Sequence, residues 1–202
     1  MVKTVEFIFD FGSPNAYLSY KVLPEVLART GAELKILPCL LGGIFKATGN
    51  SSPIVAYAGV PAKLQYQILE MRRFIKRHGL TKYRMNPHFP VNTLLVMRGL
   101  TAVMMEGDGT AYVEAVLRGL WEDELKMDDP DVVAQVLNAA GMDGARILAR
   151  TQDADVKQAL AKNTEAAVAR GVFGIPTFFV GSEMYFGKDR LGQVEDALMD
   201  LV

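Results

Sequence analysis

The chain is 202 residues long, 50% hydrophobic and 22% charged, with a formal net charge of -1. That is enough apolar material for one well-buried domain, or one domain carrying a sizeable insertion, and so neutral a chain gives no electrostatic reason to expect nucleic acid or an anionic membrane surface as partner. Its one cysteine, Cys39, excludes an internal disulfide, and no apolar run reaches membrane-spanning length.

Val5 to Phe9 is β-branched and aromatic and ends at Asp10, which reads as a buried strand. Ala16, Leu18, Val22, Leu23, Val26 and Leu27 then recur at helical spacing. At the joint, Ser13 suits an N-cap and Pro14 the first helical position. The helix is expected from Pro14 to Arg29, with Gly31 as its stop and Pro24 kinking or dividing it. Glu33 to Pro38 is a second strand, which makes the opening segment a βαβ unit with parallel strands.

After Cys39, the segment from Leu40 to Pro53 is glycine-rich and apolar at once, a combination suited to a pocket wall or lid. Helical signals follow: Pro61 to Arg77 before Gly79; Asn92 as cap of a helix to Glu106; Thr110 through Trp121 to Leu125; Asp129-Pro130 to Gly141; and Thr151 or Asp153 to Gly171. Strands return at Thr177–Val180 and Glu183–Phe186, joined by the two-residue loop Gly181-Ser182. Leu191, Val194, Leu198 and Leu201 make a closing amphipathic helix. The order βαβ, helices, ββα is that of an α/β thioredoxin-like fold with a large all-helical insertion. Its expected division is 1–40 plus 171–202 for the thioredoxin-like part and 41–170 for the insertion, with the helix at about 153–170 packing on the former.

Four ordered stretches carry a family likeness: Phe9-Asp10-Phe11-Gly12-Ser13-Pro14; Leu41-Gly42-Gly43-Ile44-Phe45-Lys46 with Gly49-Asn50; Phe173-Gly174-Ile175-Pro176-Thr177-Phe178; and Phe186-Gly187-Lys188-Asp189-Arg190-Leu191. Together they resemble the 2-hydroxychromene-2-carboxylate isomerases and the kappa-class glutathione transferases, in the DsbA-like branch of thioredoxin folds. The resemblance implies glutathione as cofactor, a homodimer, and aromatic catabolism of the naphthalene-degradation kind. The implied reaction converts 2-hydroxychromene-2-carboxylate, or a close relative, to trans-o-hydroxybenzylidenepyruvate by reversible thiolate addition.

Where redox thioredoxin folds carry a Cys-x-x-Cys pair, this chain has Ser13-Pro14-Asn15-Ala16. Dithiol exchange needs an attacking and a resolving thiol, and neither is present. Ser13 can act as a cap alone, or can accept from the helix backbone while donating its hydrogen to a ligand sulfur, as the resemblance implies. Ile175-Pro176 resembles a cis-proline loop that pairs with the cysteinyl backbone of glutathione. Lys188, Asp189 and Arg190 are the implied γ-glutamyl side, and Asn50 and Lys63 the implied glycine-carboxylate side. Ordinary solvated lysines, a turn asparagine and a helix cap are the competing readings. Phe45 and Tyr66 are expected to line an apolar slot for the aromatic substrate, with Tyr83, Phe89 and Tyr185 left open and Pro87-His88-Phe89-Pro90 a loop over the site. With two histidines and one cysteine, no metal cluster is expected. A sequence without a basic, apolar leader after Met1 is expected to be cytoplasmic. Two rivals remain: a kappa-like transferase that conjugates electrophiles, and a non-catalytic thioredoxin-fold binding or chaperone module.

Overall fold

The computed structural model describes residues 2–200; Leu201, expected on the closing helix, lies outside the described residues. β1 (Thr4–Phe9) runs into α1 (Pro14–Thr30), and β2 (Glu33–Pro38) returns parallel to β1 with Val5 opposite Leu34 and Phe9 opposite Pro38. From the other end of the chain, β3 (Thr177–Val180) joins β1 antiparallel and β4 (Glu183–Phe186) joins β3, giving the order β2-β1-β3-β4. Gly181, at φ 59, makes the tight turn between β3 and β4. The result is an α/β thioredoxin-like fold with a mixed four-stranded sheet and a helical insertion.

The insertion contains α2 (Leu41–Thr48), α3 (Pro53–Ala56), α4 (Pro61–Arg77), α5 (Leu94–Glu106), α6 (Thr110–Trp121), α7 (Pro130–Ala139), α8 (Gly144–Arg150) and α9 (Ala154–Ala169). A 3-10 turn at Lys188–Arg190 leads into α10 (Leu191–Asp200). α1 and α10 pack on each other, and α10 also reaches β1 and β3. α5 and α9 pack against β2. Phe7, Phe9, Phe11, Tyr112, Trp121 and Phe178 are fully buried in the core that results. Phe7 lies 4.8 Å from Phe178 and Phe9 meets Phe11 edge-on at 4.9 Å, ring separations at which aromatic pairs attract beyond their area.

Several local expectations change. The glycine-rich segment is mostly helix, because α2 has partners far along the chain: its first N–H, Leu41, donates to Asp10 at 2.7 Å, and Ile44 is fully buried. Gly43 is the cost of that docking, since a Cβ there would stand 3.1 Å from Thr164 on α9. α1 passes through Pro24 undivided; Pro24 is on the exposed face, where water can satisfy the carbonyl that lost its donor. Thr93, not Asn92, is the N-cap of α5, and Asn92 accepts from Leu94 beside it. α6 stops at Trp121 rather than Leu125, and Thr151 closes the short α8 while Asp153 begins α9. Among the described residues, no helix is long and apolar enough to cross a membrane.

Candidate functional site

The site is built where β1 gives way to α1. Ser13 has extended backbone, φ -95 and ψ 113, and its Oγ accepts from the Ala16 N–H at 3.2 Å, so the serine caps α1 as its sequence context requires. The hydroxyl hydrogen is also used: Ser13 Oγ donates to the carbonyl oxygen of Ile175 at 2.9 Å. That bond holds the Ile175-Pro176 loop, whose peptide bond is cis, directly against the start of α1. Ile175 is nearly buried, yet its own N–H finds no acceptor among the described residues. The Asn15 N–H in the first turn of α1 is likewise without one.

Asp10 holds this joint from beneath. Its carboxylate is fully buried and accepts from Gly12 N at 2.8 Å, Thr93 Oγ1 at 2.7 Å and Leu41 N at 2.7 Å, tying together the Ser13 loop, the start of α5 and the start of α2. Burial raises its pKa and the three hydrogen bonds oppose that rise. Trp121 braces the same loop from the side, donating its indole N–H to Phe11 O at 2.9 Å. Neither residue stood out in the sequence as part of the site. For Asp10 a signal was there: a carboxylate two residues before a glycine, at the end of an apolar strand, is placed to accept that glycine's N–H in an Asx turn.

The other implied residues divide into two groups. Asn50, just beyond α2, donates from Nδ2 to Phe173 O at 2.8 Å, which ties the end of α2 to the cis-proline loop. Gly187 N donates to Pro176 O at 2.9 Å, which sets the Lys188–Arg190 turn beside the same loop. Lys188 is not solvated: it is only 5% exposed, with its ammonium 2.5 Å from Asp189 Oδ1 and 4.9 Å from the Phe74 ring centroid. Asp189 and Arg190 are exposed. Phe45 is half-buried on α2, next to the buried Ile44.

Lys63 and Tyr66 belong to the second group. Both are exposed on α4, where with Tyr57, Ala62 and Gln67 they line an open groove of about 350 Å³, and Lys63 Nζ sits 5.5 Å over the Tyr57 ring. No hydrogen bond ties them to the Ser13 or Ile175 loops among the described residues. Tyr83 and Phe89 each have their ring centroid 6.0 Å from that of Trp121, whose indole donates to Phe11 O in the Ser13 loop. The Phe89-Pro90 bond is cis, and the segment before it is anchored by Asn86 Nδ2 to Leu120 O and Leu125 O at 2.7 and 2.9 Å. Tyr185 is half-buried in β4.

The site supplies no sulfur nucleophile of its own. Cys39 is buried, its Sγ faces the Asn163 carbonyl at 3.5 Å, and burial pushes its pKa up to about 12. Among the described residues, no three His, Cys, Asp or Glu side chains are grouped to hold a metal.

The DSBA-like thioredoxin domain family matches residues 4–199. The 2-hydroxychromene-2-carboxylate isomerase of Pseudomonas putida is 28% identical, over 96% of this chain and 93% of that protein. Glutathione S-transferase kappa 1 of Rattus norvegicus is 33% identical, over 94% of this chain and 88% of that protein. The solved structure of a 2-hydroxychromene-2-carboxylate isomerase superposes with a TM-score of 0.84 at 28% identity, covering 98% of this chain and 95% of that one.

Proposed function

This chain belongs to the DSBA-like thioredoxin domain family, among the 2-hydroxychromene-2-carboxylate isomerases and kappa-class glutathione transferases, and from that membership we propose that it is a glutathione-dependent isomerase of a hydroxychromene carboxylate or close relative. One observation carries the reading: a serine, not a thiol, stands at the helix start facing the Ile175-Pro176 loop, with an Ile175 N–H that is unpaired among the described residues beside it. Such a cradle fits an extended peptide backbone that brings its own sulfur.

Bound there, glutathione supplies the thiol nucleophile that the site lacks. Ile175 pairs with its cysteinyl backbone. Ser13 and the first turn of α1 favour the ionised sulfur: a hydrogen bond to a charged partner is worth ~1.5–3 kcal/mol and a helix N-terminus ~0.3–1 kcal/mol. At ~1.4 kcal/mol per pKa unit, that lowers a thiol pKa by roughly 1–3 units. Asp189 and Arg190 hold the γ-glutamyl end, with Lys188 fixing the orientation of Asp189 from below. Asn50 and Lys63 serve the glycine end, and Phe45 and Tyr66 face the aromatic substrate. The protein works as a cytoplasmic homodimer in this reading.

The test is the pH–rate profile of Ser13→Ala. The variant should lose turnover by about 10–100-fold, with its apparent acidic pKa raised and glutathione affinity little changed; an unaltered profile counts against the role. A kappa-like transferase is the second reading, favoured by the higher identity to the rat enzyme. Stoichiometric loss of glutathione during turnover selects the transferase, and a requirement without consumption selects the isomerase. Absence of saturable glutathione binding in calorimetry leaves the non-catalytic thioredoxin-fold module in place of both.

A further inference from the structure

Ser13 has one hydrogen to give, and in this structure it is already given. The hydroxyl accepts from Ala16 N and donates to Ile175 O in a buried hydrogen bond, and Ile175 as a residue is only 6% exposed. Turning that hydrogen toward anything else leaves the Ile175 carbonyl short of a donor, and a buried carbonyl stripped of its partner is costly. A free sulfur anion near Ser13 therefore competes with a bond the protein has made for its own purposes.

A peptide changes the balance. Among the described residues the Ile175 N–H is open, so an extended backbone laid along this residue can pair with it and return an N–H of its own to Ile175 O. The carbonyl then stays satisfied when Ser13 lets go. Nothing heavy has to move. The Ser13 backbone and Oγ remain fixed by the cap on Ala16, and only the hydroxyl hydrogen rotates about the Cβ–Oγ bond.

We infer that Ile175 O holds the Ser13 hydrogen in the empty protein and releases it to a ligand sulfur only when the ligand's own amide N–H takes its place. The inference rests on the proposed glutathione reading and adds a selection rule: the site ionises thiols that arrive on a peptide backbone and leaves simple thiols protonated. The serine is a donor that the correct ligand unlocks.

The experiment compares glutathione with its depsipeptide, in which an ester oxygen replaces the cysteinyl N–H and every charge is kept. Affinity is read by calorimetry and ionisation of the bound thiol by thiolate ultraviolet absorbance across pH. Bound glutathione should ionise at least about tenfold more readily than free glutathione, a shift of about one pKa unit. The depsipeptide should still bind, within about tenfold, because Ser13 stays on Ile175 O and keeps it paired, yet its thiol should ionise as it does in solution. In Ser13→Ala both thiols should ionise as free ones. The affinity gap between the two ligands should also widen, since the glutathione N–H then meets a carbonyl with no incumbent donor. A bound depsipeptide that ionises as readily as glutathione overturns the inference and leaves the glutathione reading standing. So does a depsipeptide that fails to bind at millimolar concentration where glutathione binds. If glutathione itself does not bind, the functional reading fails and this one with it.

Discussion

The proposed ligand has two shores, and they are built differently. On one side, Ser13, Ile175, Pro176 and Asn50 sit on loops cross-tied by hydrogen bonds, of which the Ser13–Ile175 bond is buried and the Asn50–Phe173 bond exposed, with the fully buried Asp10 carboxylate serving three elements at once. On the other, Lys63 and Tyr66 ride on α4, which follows α3, and neither helix buries a single residue. α4 is held through the partly buried Met71, Phe74 and Ile75, on the half of the helix beyond Lys63 and Tyr66. The difference separates two tasks. Ionising a sulfur needs donors fixed within tenths of an ångström before the ligand arrives, whereas admitting a bulky aromatic needs a wall that yields.

The sharpest way to break this contrast is to remove the hub of the rigid side. Asp10→Ala strands the Gly12 and Leu41 N–H groups and the Thr93 hydroxyl without acceptors, each costing ~1–3 kcal/mol when buried. A loss of about 3–5 kcal/mol is expected in urea unfolding, close to the whole stability of a marginal domain. Asp10→Asn should cost less, because one oxygen remains for Gly12 and Thr93 while the amide opposes Leu41. It should also change the pH dependence. The Asp10 pKa is raised by burial from its ordinary 3.8, so the folded state holds that proton more tightly than the unfolded one. Its contribution is greatest below 3.8 and is lost as pH climbs through the folded value. The Asp10→Asn substitution removes that decline, and the acid limb of the stability curve should rise more steeply with pH in the variant.

That hub also marks how far the sequence alone could be read. The strand–helix joint was legible because its signals are adjacent: an apolar run, then Ser13-Pro14, then Gly31 to stop. The hairpin was legible because Gly181-Ser182 is short and conformationally explicit. α2 was not, because Gly42 and Gly43 argue locally against helix and what overrules them is a carboxylate on another element and a close fit to Thr164. Burial of Lys188 was hidden for the same kind of reason, since the Phe74 ring over which it lies is on α4. Residues whose roles are fixed by neighbours in sequence could be placed; those fixed by a partner brought in by the fold could not.

A second prediction sharpens the contrast in time. Amide protons of α4 before Met71 should exchange at least about 100-fold faster than those of β1, because local opening there exposes almost no apolar surface. Exchange measured by mass spectrometry after partial digestion reads this directly. Equal protection in the two regions would mean that the arm is held by something beyond its own chain, and a homodimer partner is then the first explanation to test. Saturating glutathione should slow exchange in the arm more than at the joint, which is already ordered.

The smallest effects are expected on the arm itself. Tyr66→Ala should leave stability within ~0.5 kcal/mol, as substitutions at exposed positions usually do, and should raise the KM for the aromatic substrate a few-fold. Lys63→Gln should weaken glutathione about two- to fivefold, the scale of a single exposed charge contact. Because such a contact is screened, that difference should shrink toward nothing at high salt, while the turnover loss and raised apparent pKa of Ser13→Ala, made at a buried joint, should persist. Calorimetry of Lys63→Gln and the pH–rate profile of Ser13→Ala, each at low and high ionic strength, make the comparison. A Lys63→Gln penalty that survives salt and exceeds about tenfold would show that α4 closes over the ligand and becomes as dry and fixed as the side it faces.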